Sequence, residues 1–258
     1  MIVSWLKSLV SRPDGAKPSG ALATLAPGQR FYAVGDIHGR LDLLQQILGR
    51  LQPDLPIVFV GDYVDRGDHS AQVLRHLQHL SQARNRQVIC LLGNHEDLLL
   101  RFLQRPRRTC RLWMHNGGRQ TLASFGLTDL PLELTPDEAV RAARRLEQEM
   151  GAPLLEWMHA RPLCWTTGNV TVVHAALNPG SDPADQARGT CLWGHGDFPG
   201  KPRSDGQWVV HGHTIVPEPC VRNRVISIDT GAFATGRLTA AEIGPGTVRF
   251  LCTDPVQT

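Results

Sequence analysis

The stretch FYAVGDIHGRLDLLQQILGRLQPDLPIVFVGDYVDRG (31–67) decides the fold. FYAV (31–34) and IVFV (57–60) are short apolar runs, each closed by Gly-Asp. Runs of this length and composition, bounded by turn formers, read as buried strands. Between them, LDLLQQILGRL (41–51) places Leu44, Ile47, Leu48 and Leu51 on one helical face. A strand, a helix and a second strand in that order predict an α/β sheet.

The same grammar continues outward. AQVLRHLQHL (71–80) carries Val73, Leu74, Leu77 and Leu80 at helical spacing, and VICLLGN (88–94) is a third apolar run, ending at Asn94. VTVVH ends at His174, WVVHGH at His213, and VISIDTG closes the series near Asp229. Residues 98–163 break the rhythm and predict a helical insertion. There, Thr135, Pro136 and Glu138 spell a capping box, followed by a stripe of Val140, Ala143, Leu146 and Met150 and a stop at Gly151. RLTAAEI, GPG and TVRFLC (237–252) predict a closing hairpin.

The chain has 258 residues, 41% apolar and 20% charged. That is globular composition at a size that builds a full core. Residues 1–30 read as a tail. Ile2, Trp5, Leu6, Leu9 and Val10 form a short apolar face, and the breaker-rich linker SRPDGAKPSG follows. The domain is expected over 31–258. A net charge of +3 is too mild to argue for nucleic acid. No apolar run reaches the length of a membrane span, and MIVSWLKSLVSRPDG lacks the pattern of a secretory signal. Six cysteines (Cys90, Cys110, Cys164, Cys191, Cys220, Cys252) are scattered without a CxxC pair, as in a reduced, cytoplasmic protein. None has Arg six residues on, which argues against a cysteine-phosphatase loop.

Asp36, His38, Asp62, Asn94, His174 and His213 all sit at or just past the ends of apolar runs. Ligands bind at the carboxyl ends of strands in open α/β sheets. If the strands are neighbours, these six O and N donors converge. Such a set suits two divalent metals, with manganese, iron or zinc fitting mixed imidazole and carboxylate better than magnesium or calcium.

With GDIHG (35–39), GDYVDRG (61–67) and GNHE (93–96) in that order, the chain resembles the metal-dependent phosphoprotein phosphatases of the calcineurin-like metallophosphoesterase superfamily. HGHT (211–214), IDTGA (228–232) and WMHNGGRQTLASFG (113–126) fit its compact bacterial and phage branch. The resemblance spans roughly residues 30–245 and implies an α/β fold, a mixed β-sheet sandwich flanked by helices. It implies that Asp36 and His38 hold one metal, that Asp62 bridges, and that Asn94, His174 and His213 hold the other. Arg66 would clamp phosphate, with Asn94 also at the substrate. His95 would be the general acid and Asp65 its orienting partner. His211, two residues before His213, stays a candidate for the surroundings of the site. The implied reaction is hydrolysis of phosphomonoesters, above all phosphoserine and phosphothreonine in proteins, by a hydroxide formed between two divalent ions, most simply Mn2+.

A symmetrical diadenosine-tetraphosphate hydrolase shares the GDxHG and GNH motifs and is the rival reading. A non-catalytic metal-binding scaffold is the other, and the company of Asp65, Arg66 and His95 argues against it. One departure stands out. In TCLWGHGDF (190–198) the branch has Arg where this chain has His195. His195 is therefore the expected second phosphate contact, with Arg188 and Arg203 as substitutes. The basic run Arg101, Arg105, Arg107, Arg108 and Arg111 reads either as a solvated face or as a surface for an acidic ligand.

Overall fold

In the computed structural model, which describes residues 23–254, β1 (Phe31–Val34) leads into α1 (Leu41–Leu48) and returns as β2 (Ile57–Phe59). Helix α2 (Ser70–Gln82), β3 (Val88–Cys90), α3 (Asn94–Gln104), α4 (Pro106–His115), α5 (Gly118–Ser124), α6 (Pro136–Met150) and α7 (Ala152–His159) follow. The second half runs β4 (Cys164–Thr167), β5 (Val170–Val173), α8 (Arg188–Trp193), β6 (Trp208–His211), β7 (Cys220–Arg222), β8 (Val225–Ser227), α9 (Ala232–Thr235), β9 (Thr239–Gly244) and β10 (Thr247–Cys252).

Two five-stranded sheets result, ordered β10-β9-β1-β2-β3 and β4-β5-β6-β8-β7. β1, β2 and β3 are parallel, as are β5, β6 and β8, while the outer strands pair antiparallel. Alternation along the strands sorts the core. Phe31, Ala33, Val58 and Val60 meet Val170, Val172, Val210 and Ile226 between the sheets. Tyr32, Val34, Ile57 and Phe59 point the other way and pack under α1 and α2. The sheets form a sandwich with helices outside, the mixed α/β architecture that the sequence predicts.

Helices α3 to α7 account for the predicted insertion. Their buried faces (Leu98, Trp113, Leu146, Trp157) share one core with α1 and α2, so they extend the helical layer of the first sheet. The capping box at α6 forms: Thr135 Oγ1 accepts Glu138 N–H at 3.3 Å and Glu138 Oε2 accepts Thr135 N–H at 2.8 Å. The buried stripe is rotated from the predicted one, with Ala139 and Ala142 inside and Val140 half-buried.

Residues just before β1 are docked along the second sheet. Leu25 is buried between the sheets, and Asn169 Oδ1 accepts Ala26 N–H at 2.7 Å. The predicted apolar face of residues 2–10 lies outside the described residues. Among the described residues no helix is long and apolar enough to cross a membrane.

Candidate active site

The carboxyl ends of β1, β2, β3, β5 and β6 meet at one edge of the sandwich, and each delivers a donor there. The loops that do so are tight. His38, Asp62, Asp65, Arg66 and His213 all have φ between +45° and +71°, in the left-handed region. Such strain persists only where the surroundings over-determine it, and it concentrates at functional sites. Two glycines permit the crowding. A Cβ at Gly93 would lie 2.2 Å from Asp62 Oδ1, and one at Gly212 would lie 2.0 Å from Asp36 Oδ1.

Asp62 is the hub. Its Oδ2 lies 3.5 Å from His38 Nε2 and 3.9 Å from His95 Nε2, and its Oδ1 lies 3.4 Å from His174 Nε2. Ligand atoms of His38, Asp62 and His95 fall within 4.8 Å of one another, as do those of Asp62, His174 and His213. Asp62 belongs to both groups. Asn94 Oδ1 faces His174 Nε2 at 2.8 Å and His213 Nδ1 at 2.9 Å. Asp36 is turned differently from its neighbours, with Oδ1 and Oδ2 accepting His213 N–H at 3.2 and 3.0 Å.

The chemistry of this donor set fits divalent cations. His38 Nδ1 lies 2.8 Å from Val64 O, and His174 Nδ1 lies 3.1 Å from Val60 O. A carbonyl only accepts, so each Nδ1 carries the proton and each neutral ring aims a bare Nε2 at Asp62. Lone pairs then face a carboxylate with no proton between them, which a cation resolves. Burial drives His38 down to about 3 and His174 to about 4, so both rings are neutral at pH 7. Burial works against an ionised Asp62, but at low pH the charged forms of His174, His95 and His38, together with the His95 backbone N–H, outweigh it and hold the carboxyl below the usual range. Burial, then Asp229 and Asp62, push Asp36 well above that range. Bound cations would relieve this carboxylate crowding.

A second set of contacts lies alongside. His95 Nδ1 donates to Asp65 Oδ2 at 2.7 Å, and its Nε2 faces Arg66 Nη2 at 3.2 Å. Burial disfavours the charged ring, but Asp62 and Asp65 hold the His95 pKa above its ordinary value. The Arg66 guanidinium stacks on Phe233, 4.4 Å from the ring centre, and the backbone N–H of Arg66 donates to Gly117 O at 3.3 Å.

Asp65 is wholly buried. Trp113 Nε1 donates to both its oxygens at 3.1 Å, and Thr121 Oγ1 donates to Oδ1 at 2.6 Å. Sequence reasoning quoted the 113–126 segment without assigning Trp113 or Thr121 a role. It also missed Glu96, whose carboxylate accepts the N–H groups of Asp62, Tyr63, Val64 and Gly93 and so pins two motif loops together. The available signal was an acid at the third position of a helix that opens on Gly93, a capping arrangement. Asp229 was visible as the residue that closes the VISIDTG run, whereas Phe233, one residue past IDTGA, gave no signal of its own.

The other candidates have contacts of their own. His195 is half-buried two residues past α8, and its Nδ1 accepts Asp197 N–H at 3.2 Å. Arg203 is buried and committed to the carbonyls of Asn178 and Ser181, at 2.8 and 2.7 Å, and to Asp205. Arg188 reaches back to Asp97 of α3 at 2.8 Å. His211 is buried, with Nδ1 on Gly212 O and Nε2 on Ser227 Oγ, so both ring nitrogens are already used.

A sequence model of the calcineurin-like phosphoesterase family matches residues 29–217. A bis(5'-nucleosyl)-tetraphosphatase PrpE (asymmetrical) of Halalkalibacterium halodurans is 27% identical over 238 residues, 82% of this chain and 89% of that protein. Among solved structures, the cold-active protein-tyrosine phosphatase of a psychrophilic Shewanella superposes with a TM-score of 0.58. It is 17% identical and covers 94% of this chain and 89% of that one. A protein serine/threonine phosphatase from Saccharomyces cerevisiae gives a TM-score of 0.54 at 15% identity, covering 90% of this chain and 82% of that one. At such identities these two likenesses speak for the fold.

Proposed function

This chain belongs to the calcineurin-like phosphoesterase family, and from that premise we propose that it hydrolyses dinucleoside polyphosphates, releasing a mononucleotide from one end. It is a phosphoester hydrolase. The substrate class rests on one observation, the 27% identity over most of both chains to a protein named as an asymmetrical bis(5'-nucleosyl)-tetraphosphatase. This reverses the order that the motifs alone suggest.

In this reading Asp36, His38 and Asp62 hold one divalent ion, and Asp62, Asn94, His174 and His213 hold the other. Mn2+ is the proposed pair, with iron or zinc as alternatives. The ions, when bound, neutralise phosphate charge and lower the pKa of a water. The protein does the rest. Arg66, steadied by Phe233 and Gly117, binds the phosphoryl oxygens with its planar fork. Substrate draws Arg66 away from His95 Nε2. Asp65 keeps a proton on His95 Nδ1, leaving Nε2 to carry the second proton toward the leaving oxygen.

The second reading, a protein serine/threonine phosphatase, is favoured by the intact GDYVDRG and GNHE motifs. One panel separates the two. With Mn2+, diadenosine tetraphosphate should turn over faster than a phosphoserine peptide, giving ATP and AMP. A faster peptide reaction would reverse the order, and two ADP molecules would mark symmetrical cleavage.

A further inference from the structure

Arg66 is the phosphate clamp of the proposed reaction, and its charge is balanced differently from that of other shielded guanidiniums. Arg40, Arg203 and Arg237, also half-buried or buried, each meet a carboxylate, from Asp42, Asp205 and Glu218. Arg66 is half-buried, yet its side chain has no carboxylate partner among the described residues. Asp229 is near enough to feel its charge, but Asp229 Oδ1 accepts Gly231 N–H at 2.8 Å instead. What the guanidinium meets is the Phe233 ring, 4.4 Å from its centre, and His95 Nε2 at 3.2 Å.

The kind of partner matters. The N–H groups of a guanidinium form a fork in its plane, whereas an aromatic ring attracts a cation through its face. A carboxylate would occupy the fork and compete with phosphate for the same N–H groups. A ring over the guanidinium carbon takes none of those places. Phe233 is itself held firmly. Helix α9 opens at Gly231, whose carbonyl accepts the N–H groups of Ala234 and Thr235, both at 2.9 Å. Thr235 Oγ1 donates to Thr230 O at 2.9 Å, and Arg40 Nη1 donates to Ala232 O at 3.1 Å. A Cβ at Gly231 would lie 3.3 Å from Ile215 Cγ2, so the turn also packs on the loop beyond His213. The ring's other neighbour is His38, edge to face at 5.4 Å. One side chain thus touches both the clamp and an imidazole of the donor cluster.

We propose that Phe233 is a positioning residue for phosphate binding. It holds the Arg66 guanidinium by its face beside the donor cluster and so keeps the N–H fork available to the phosphoryl oxygens. The proposal rests on Arg66 as the clamp and is independent of which phosphoester is the substrate.

The test measures binding of inorganic phosphate to the Mn2+-loaded protein by calorimetry, with kcat/KM for 4-nitrophenyl phosphate alongside. The proteins are wild type, Phe233→Leu, Phe233→Tyr, Arg66→Ala and the combined Phe233→Leu/Arg66→Ala. Leu keeps an apolar side chain at a half-buried position, and Phe233→Met replaces it should melting curves show a loss of fold. Phe233→Leu should weaken phosphate binding about fivefold and lower kcat/KM to a similar degree. Phe233→Tyr keeps the ring and should stay within about twofold of wild type. In the Arg66→Ala background, Phe233→Leu should change nothing further, because a contact made through Arg66 vanishes with it. Metal content should match wild type in Phe233→Leu. Unchanged phosphate affinity in Phe233→Leu, with Arg66→Ala weakened, overturns the proposal and leaves Arg66 as the clamp. If Arg66→Ala binds phosphate as wild type does, the clamp fails and the proposal with it. An equal loss in both backgrounds, or a fall in metal content, would place the effect of the ring at His38 and overturn the proposal.

Discussion

The floor of the site, around Asp65, and the segment that follows His174 (residues 175–207) are held in different ways. At the floor, three partners come from distant parts of the chain, His95 from α3, Trp113 from α4 and Thr121 from α5, and only Ser70 of α2 is close in sequence. The segment's bonds instead close mostly on itself. Gln186 ties to Asn178, Ser181 and Asp182, and Arg203 ties to Asn178, Ser181 and Asp205. Its main side-chain tether to the helical layer is the Arg188–Asp97 pair. Long-range convergence fixes angles, which a proton transfer needs. Local closure lets a segment vary without disturbing the core. Substitutions at the floor should therefore cost far more than those in the segment.

Asp62→Asn should show the largest effect, because it removes the one carboxylate common to both donor groups. Activity with Mn2+ should fall by on the order of 10³ or more, several kcal/mol of charge stabilisation. Metal content after loading should fall from about two ions per chain. A variant that keeps full occupancy would show that Asp62 is not the shared ligand.

His95→Asn should keep its metal and lose about 10²–10⁴ in rate where the leaving oxygen needs a proton. The leaving group sharpens the comparison. An alkyl phosphate expels a strongly basic oxygen, whereas a nucleotide phosphate has a second pKa near about 6. The loss should therefore be greater for phosphoserine than for diadenosine tetraphosphate. Equal losses would take His95 out of the proton-donor role and leave it as a phosphate contact.

How much of this was legible in the sequence follows the same division. The donors could be read because each ends an apolar run, and a parallel sheet brings such ends together. The helical layer and the last hairpin were legible from periodicity and from Gly-Pro-Gly. Two edge strands were not. β4 is half-buried and polar, and β7 is exposed throughout, so neither shows an alternating pattern. β7 joins β8 through Asn223 and Arg224, both at positive φ, a turn that Asn-Gly would have announced. The clamp around Asp65 was hidden for a different reason. Trp113 and Thr121 lie 48 and 56 residues away, and no local pattern ties them to a carboxylate. The positive φ at Asp65 and Arg66 is likewise imposed by tertiary contacts.

Thr121→Val tests that hidden clamp with little change of shape. It strips a hydroxyl that donates to Asp65 Oδ1 at 2.6 Å and accepts Asp65 N–H at 2.9 Å. Leaving buried polar atoms short of partners costs about 1–3 kcal/mol, readable in urea unfolding. The rate should fall about tenfold, less than for His95→Asn, because Asp65 keeps Trp113 and only its aim loosens. Stability lost without any change in rate would make Thr121 a packing residue alone.

The smallest effect is expected at His195, where the motif comparison places a second phosphate contact. Its ring nitrogen accepts Asp197 N–H two residues away, a local turn contact, and none of its hydrogen bonds reaches the donor cluster. An imidazole that clasped phosphate would bind best when charged, and KM would then climb with pH in wild type but not in His195→Ala. The local contact predicts the opposite. KM and kcat for 4-nitrophenyl phosphate should agree within about twofold among wild type, His195→Ala and His195→Arg, with parallel pH profiles. Arg203 is already spent on two carbonyls and Asp205, so only Arg188 could swing inward, and it must leave Asp97 to do so. Arg188→Ala should therefore raise KM if that cation serves phosphate, whereas His195→Ala should not. A KM gain in His195→Arg alone would place residue 195 at the phosphate and join this segment to the floor.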